Sequence, residues 1–160
     1  MRTLVARPLT AEAFAPYGEV LVAQVDFGRT YIEQALANGR ANAKPSLSFS
    51  KAKPIVSLPL RAVQMERHEF SSQSFVPMDA GRWFVIVAPK RADGQPDASR
   101  AEAFVAGPGQ GVTYGMNVWH HPLSVIGEPI RFAIFMWLTH GAGDEEFVQL
   151  DQQFDVALTA

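Results

Sequence analysis

Hydrophobic and polar positions alternate along this chain in short runs, and they seldom recur at the spacing of a helical stripe. The runs "EVLVA", "SLSFS", "LRAVQMER", "SFVPM", "RWFVIVAP", "AEAFVAG", "GVTY", "VWHHPLSVI", "IRFAIFMWL" and "EFVQL" are rich in β-branched and aromatic residues. Pro, Gly, Asn or Asp separates them at intervals of roughly 8–12 residues, which predicts an all-β barrel or sandwich. One helix is expected in "LTAEAFAPYG", where Thr10 can cap, Glu12 favours the first turn, and Pro16 with Gly18 stops the element. A second short helix is the expectation for "YIEQALANG", with Asn38-Gly39 as its stop. The strand "IRFAIFMWL" is apolar at both parities, so a second sheet or a subunit is expected to cover it.

Composition narrows the classes. The 160 residues suit one domain with a core, taken here as residues 1–160. No linker-like tract or change of composition marks a boundary. Fourteen basic against 16 acidic residues, with no block of like charge, argue against nucleic acid and for a small-molecule or protein partner. There is no cysteine, which removes disulfides, thiolate metal sites and cysteine nucleophiles, and fits a reducing compartment. The runs "WFVIVAP" and "FAIFMWL" fall well short of the roughly 20 residues that span a bilayer. The N-terminus has no sustained apolar stretch of the signal-peptide kind, so a cytoplasmic, membrane-free protein is expected.

Histidine carries the candidate chemistry. "NVWHHPL" places His120 and His121 side by side, and on a strand neighbours point to opposite faces. Only one of the two enters a given pocket. Parity groups Trp119, His121 and Leu123 on the more core-like face and leaves open which histidine does so, because Pro122 can re-aim either ring. In "MERHEFSSQ", alternation sets Glu66 and His68 on one face and Arg67 on the other, with Gln73 following. His140, in "THGAGDEE", reads as a surface histidine. "GPGQG" lacks the Lys-Ser/Thr of a phosphate loop and reads as a turn. "GDEE" lacks the periodic oxygen ligands of a calcium loop, and no "GxSxG" occurs.

These segments resemble the two conserved regions of cupins, small double-stranded β-barrels. "NVWH" falls on the cupin pattern Gly-x-x-His, with Asn117 at the glycine place and His120 at the histidine. "ERHEFSSQ" sets Glu66 and His68 at the two histidine places of His-x-His and Gln73 at the following Glu. More narrowly, "PLTAEAFAPYGEVL", "KPSLSFSKAKP", "MERHEFSSQSFVPMD", "FVIVAP" and "AFVAGPGQGVTYGMNVWHHPL" resemble ureidoglycolate lyases, across about residues 7 to 150. The resemblance implies an all-β cupin-like jelly roll with one or two short helices near the N-terminus. The chain departs from the family at Gly115, where a histidine is usual, at Met136 and Trp137, where Asp-Arg is usual, and at Lys51, where Arg is usual.

What the resemblance implies chemically is cleavage of ureidoglycolate to glyoxylate and urea, a step of allantoin and purine breakdown. The carbinolamide needs a base for its hydroxyl proton and an acid for its leaving nitrogen, and histidine suits both. His68, His120 and Tyr114 are the expected catalytic residues. Lys51, Arg67, Gln73 and His121 are the expected substrate contacts, with a cation on the carboxylate. No cofactor is demanded; were a divalent metal held, its donors would be Glu66, His68 and His120. A homodimer is expected. The competing readings are a cupin that binds a small carboxylate or ureide without turnover, and a lyase or isomerase on a related substrate.

Overall fold

The computed structural model describes residues 1–23 and 26–159. Its strands are β1 (Arg2–Val5), β2 (Arg7–Pro8), β3 (Gly18–Val22), β4 (Lys44–Ala52), β5 (Leu60–Arg67), β6 (Gln73–Pro77) and β7 (Arg82–Ala88). They continue as β8 (Glu102–Ala106), β9 (Gln110–Tyr114), β10 (Trp119–His120), β11 (Ser124–Ile126), β12 (Ile130–Leu138) and β13 (Glu146–Ala157). One sheet runs β1-β13-β5-β10-β7-β8-β2, with β11 also paired to β7; the other runs β3-β9-β6-β12-β4. The result is an all-β fold of the kind the alternation predicted, with the cupin-like double-layered barrel that the resemblance implied.

The helix α1 (Ala11–Phe14) forms where its cap predicts it, with the Thr10 hydroxyl accepting from the Ala13 amide at 3.2 Å. A second helix does not form: residues 31–39 hold only a turn at 34–35 and an isolated bridge between Asn38 and Ser71. The physical reason is the weak stripe. A segment this short depends on tertiary packing for its helicity, and here its amides bond outward, Ala35 to the Glu19 carboxylate and Ala37 to the Ser72 hydroxyl. The only other helical turn among the described residues is a 3₁₀ turn at Ala98–Arg100.

Strand β7 explains how both faces of the larger sheet stay dry. Trp83, Val85 and Val87 belong to the barrel interior with Phe75, Tyr114 and Phe132. Phe84, Ile86 and Ala88 belong to a second core with Trp119, Phe154 and Val156. A strand buried on both sides reads as a continuous apolar run, which is how "WFVIVA" reads. β12 is only half covered: Phe132 and Met136 are buried, whereas Ala133 and Phe135 on the opposite parity are partly open.

The expected strand "VWHHPLSVI" is two strands. Pro122 has no amide hydrogen to donate, and β10 ends two residues before it, with β11 resuming at Ser124. This break brings β10 into register between β5 and β7, opposite Glu66 and Val87.

Candidate active site

Glu66 and His120 are direct cross-strand partners on β5 and β10, so their side chains leave the same face at close range. His120 is 2% exposed and Glu66 8%, inside the barrel. The His120 Nε2 lies 3.2 Å from the Glu66 Oε1 and 3.1 Å from the Gln73 Oε1. Its Nδ1 lies 2.9 Å from the Val118 carbonyl oxygen. A carbonyl only accepts, so Nδ1 carries a hydrogen and Nε2 is the atom that faces the site.

His68 is held the same way. Its Nδ1 donates to the Asp144 carbonyl at 2.8 Å, and its Nε2 is buried with no hydrogen-bond partner among the described residues. The two imidazole rings lie 5.6 Å apart between centroids. Donor atoms of Glu66, His68 and His120 all fall within 4.8 Å of one another. Burial, and then the charge of His120, push the His68 pKa down, so this ring is neutral at neutral pH with a free lone pair. Burial alone would raise Glu66, but the hydrogen bond and charge of His120, with smaller effects of His68 and His121, outweigh it and hold the carboxyl below its ordinary value.

Tyr114 stacks face to face on His120, with centroids 4.1 Å apart and planes 9° from parallel. Burial, reinforced by the Glu66 charge, raises its phenol far above the ordinary value, so it remains protonated. It is a wall and a hydrogen donor rather than a base. Gln73, 8% exposed, completes the contact with His120 and turns its amide nitrogen toward the Met136 sulfur at 3.8 Å.

The structure thus brings together Glu66, His68, Gln73, Tyr114 and His120. It sets the remaining candidates apart. Arg67 points to the other side of β5, where its guanidinium pairs with Glu146 at 2.7 Å, donates to the Asn117 side-chain oxygen and the Gly94 carbonyl, and lies 4.6 Å over the Trp119 ring. Lys51 pairs in register with Arg131 on the parity opposite Phe132 and Met136, so it faces away from the barrel interior. His121 turns its Nδ1 to the Pro122 carbonyl and the Ser124 hydroxyl, at 2.9 and 3.0 Å. Parity favoured His121 for the core face because the second core beneath Trp119 is as apolar as the barrel itself.

Two supports of the site gave no clear signal in the sequence. Asp144, in the "GDEE" segment, accepts from the Thr139 amide and hydroxyl, the His140 amide and the Arg40 guanidinium, and so fixes the loop whose carbonyl orients His68. In the sequence this segment shows only a surface histidine and an acidic stretch that is no calcium loop, and the arrival of Arg40 from the early loop leaves no local signal. Met136 was noted only as a departure from the family, yet it contacts Gln73 directly. The clefts lined by Arg91, Asp97 and Asp151, or by Phe49, Lys51 and Arg131, hold none of the clustered residues.

The donor set fits a divalent metal. Two imidazole Nε2 atoms, each fixed by a carbonyl on its Nδ1, converge with a carboxylate and an amide oxygen, the usual way ligating histidines are oriented. With Nδ1 protonated, a neutral His120 presents its Nε2 lone pair to two acceptor oxygens. A cation at that point, a metal ion or a proton, reconciles all three.

Comparison with known proteins decides the family. The ureidoglycolate lyase family model matches residues 1–157. The chain belongs to the ureidoglycolate lyase family. Among relatives, a putative ureidoglycolate lyase of Agrobacterium fabrum is 44% identical, over 90% of this chain and 88% of that protein. The ureidoglycolate lyase of Chelativorans sp. is 38% identical, over 92% of each. At the level of fold, a dTDP sugar isomerase from Desulfovibrio desulfuricans G20 superposes with a TM-score of 0.53 at 19% identity, covering 84% of this chain and 83% of that one. The family match thus spans the strands that carry Glu66, Gln73, Tyr114 and His120, and His68 just after β5, and the departures at Gly115, Met136 and Trp137 do not take the chain out of it.

Proposed function

We infer that this protein is a ureidoglycolate lyase that cleaves ureidoglycolate to glyoxylate and urea. The observation that carries this reading is the buried His68 Nε2, unpartnered and unprotonated, aimed into a cluster with His120 and Glu66 within a chain of this family. The reaction takes a proton from the substrate hydroxyl, breaks the C–N bond as the carbonyl forms, and returns a proton to the leaving urea nitrogen. His68 Nε2 is suited to accept the first proton. His120 Nε2, backed by the Glu66 carboxylate at 3.2 Å, is suited to deliver the second. Tyr114 and Gln73 hold the His120 ring in place.

The substrate carboxylate calls for a positive charge, and neither Lys51 nor Arg67 turns toward it. This favours a second version of the site in which Glu66, His68 and His120, with Gln73 beside them, hold a divalent ion. Such an ion would act as a Lewis acid, lowering the pKa of the hydroxyl and neutralising the carboxylate. The test is release of glyoxylate and urea from racemic ureidoglycolate by the protein as purified, alongside its metal content, before and after dialysis against chelator. Release that survives full metal removal supports the histidine pair acting alone. Release lost with the metal and restored by a divalent ion supports the second version. Absence of product from folded, metal-replete protein would sink the lyase reading and favour a carboxylate or ureide binder.

We also place the protein in the cytoplasm as a homodimer. Its lack of cysteine suits a reducing compartment, and among the described residues no helix is long and apolar enough to cross a membrane. Leu47 and Phe49 on the edge strand β4 are 63% and 69% exposed, beside the partly open Ala133 and Phe135, an apolar face that a second copy would cover. Light scattering on wild type and Phe49→Lys should read a dimer and a monomer; a monomeric wild type overturns the assignment.

A further inference from the structure

We propose that Ser46 recognises the urea end of the substrate, which lies across Met136 with its hydroxy-carboxylate end at the Glu66–His68–His120 cluster. This inference rests on the lyase reading above. It comes from one continuous row of side chains across the smaller sheet. Tyr114 on β9 pairs in register with Gln73 on β6, Gln73 with Met136 on β12, and Met136 with Ser46 on β4. Directly opposed residues of an antiparallel pair project to the same face, and the contacts of Tyr114 and Gln73 with His120 fix that face as the barrel interior.

Exposure rises along the row. Tyr114, Gln73 and Met136 are 2%, 8% and 8% exposed, while Ser46 is half-buried at the open edge of the sheet. The row therefore runs from the buried cluster to the edge strand of the smaller sheet. Its inner end binds the reacting atoms, its middle is an apolar sulfur surface, and its outer end is a hydroxyl. The Ser46 hydroxyl has no hydrogen-bond partner among the described residues, so it is uncommitted. A serine hydroxyl both donates and accepts, matching an amide that offers N–H and C=O together.

The dimensions agree. Neighbouring strands lie about 4.8 Å apart, so Gln73 and Ser46 are separated by roughly 10 Å of backbone. Ureidoglycolate spans on the order of 6 Å at bond lengths of about 1.3–1.5 Å, and the inward reach of the two flanking side chains takes up the remainder. The neighbouring row on the same face, Val112, Phe75, Ile134 and Ser48, offers two buried apolar residues in place of any polar contact with the cluster. Ser48 is thus the control.

The experiment compares steady-state turnover of ureidoglycolate with competitive inhibition by glycolate, which keeps the hydroxy-carboxylate and lacks the urea. Ser46→Ala is expected to raise KM for ureidoglycolate about three- to tenfold, the effect of one lost hydrogen bond. The glycolate inhibition constant should stay within about twofold. Ser46→Thr, which keeps the hydroxyl, should recover most of the affinity, and Ser48→Ala should leave KM unchanged. An unaltered KM in Ser46→Ala overturns the proposal. So does a parallel loss of glycolate affinity, which would put Ser46 at the other end of the substrate, or an equal effect of Ser48→Ala. A wild-type protein that releases no product fails earlier, at the lyase reading, and takes this inference with it.

Discussion

Asn117 occupies the left-handed region with φ of 63° and stands two residues before β10. Most side chains pay about 1–2 kcal/mol there, and glycine or asparagine far less. This is the physical content of the asparagine at the cupin glycine place. The residue adds a side-chain bond, accepting from Arg67 at 3.0 Å, and an amide bond to the His68 carbonyl at 2.9 Å. Asn117→Val should therefore cost about 2 kcal/mol in urea unfolding, from strain and the lost bond together, and Asn117→Gly about half of that. The histidines separate by activity rather than stability. His68→Ala and His120→Ala should each lower turnover by about 10²- to 10⁴-fold. His121→Ala should leave turnover within about tenfold, since among the described residues its ring bonds only to Pro122 and Ser124 nearby. A reversed order in the glyoxylate assay would move the site to the other face of β10.

At the scale of elements, the loop between β12 and β13 supports the site through Asp144. Removing its carboxylate frees the Thr139 and His140 amides and leaves Arg40, 15% exposed in its side chain, without its ion pair. Asp144→Ala should cost roughly 2–3 kcal/mol, less than a fully buried pair, and should lower turnover about 10- to 100-fold by releasing His68. A variant as unstable as expected but fully active would show that the loop does not position His68. The turn after β6 is pinned differently: Asp79 accepts from the Arg131 guanidinium and from its amide at 2.8 Å, and these bonds lower its pKa to about 2. A depressed carboxyl contributes its stability above the unfolded value near 3.9 and loses it as pH falls toward about 2. Comparing the acid unfolding of wild type and Asp79→Asn should show curves that converge over that window. The gap should be small and should shrink in salt, since the pair is exposed.

These same elements show what the sequence could tell. Alternation located β5, β7 and β12 almost to the residue, because each presents a dry face and ends at turn chemistry. It missed β1 and β2, too short to show a period, and merged β10 with β11 across Pro122. Spacing placed Glu66 and His68 on one face, and the family pattern chose His120. Neither could show that Arg67 would be drawn away, because its partners Glu146, Gly94 and Asn117 come from three other segments. Contacts made across the chain leave no local period.

Over the whole molecule, the first strand lies beside the last. β1 runs parallel to β13, with Arg2 opposite Phe154 and Val5 opposite Ala157. The long strand β13 is in turn the neighbour of β5, the strand that carries Glu66. Parallel pairing between segments so far apart in sequence is slow to nucleate, since the loop must close before any contact rewards it. A growing chain can therefore assemble the barrel around β12 but cannot seal this edge, or clamp β5, until β13 has left the ribosome. The same proximity means that the two strands can be joined by a short flexible linker, long enough to run back along one strand of about 10 Å, and the chain reopened at the exposed Gly127–Glu128 bend between β11 and β12. Such a circular permutant should keep its turnover and fold faster, its slowest closure having been made covalent in advance.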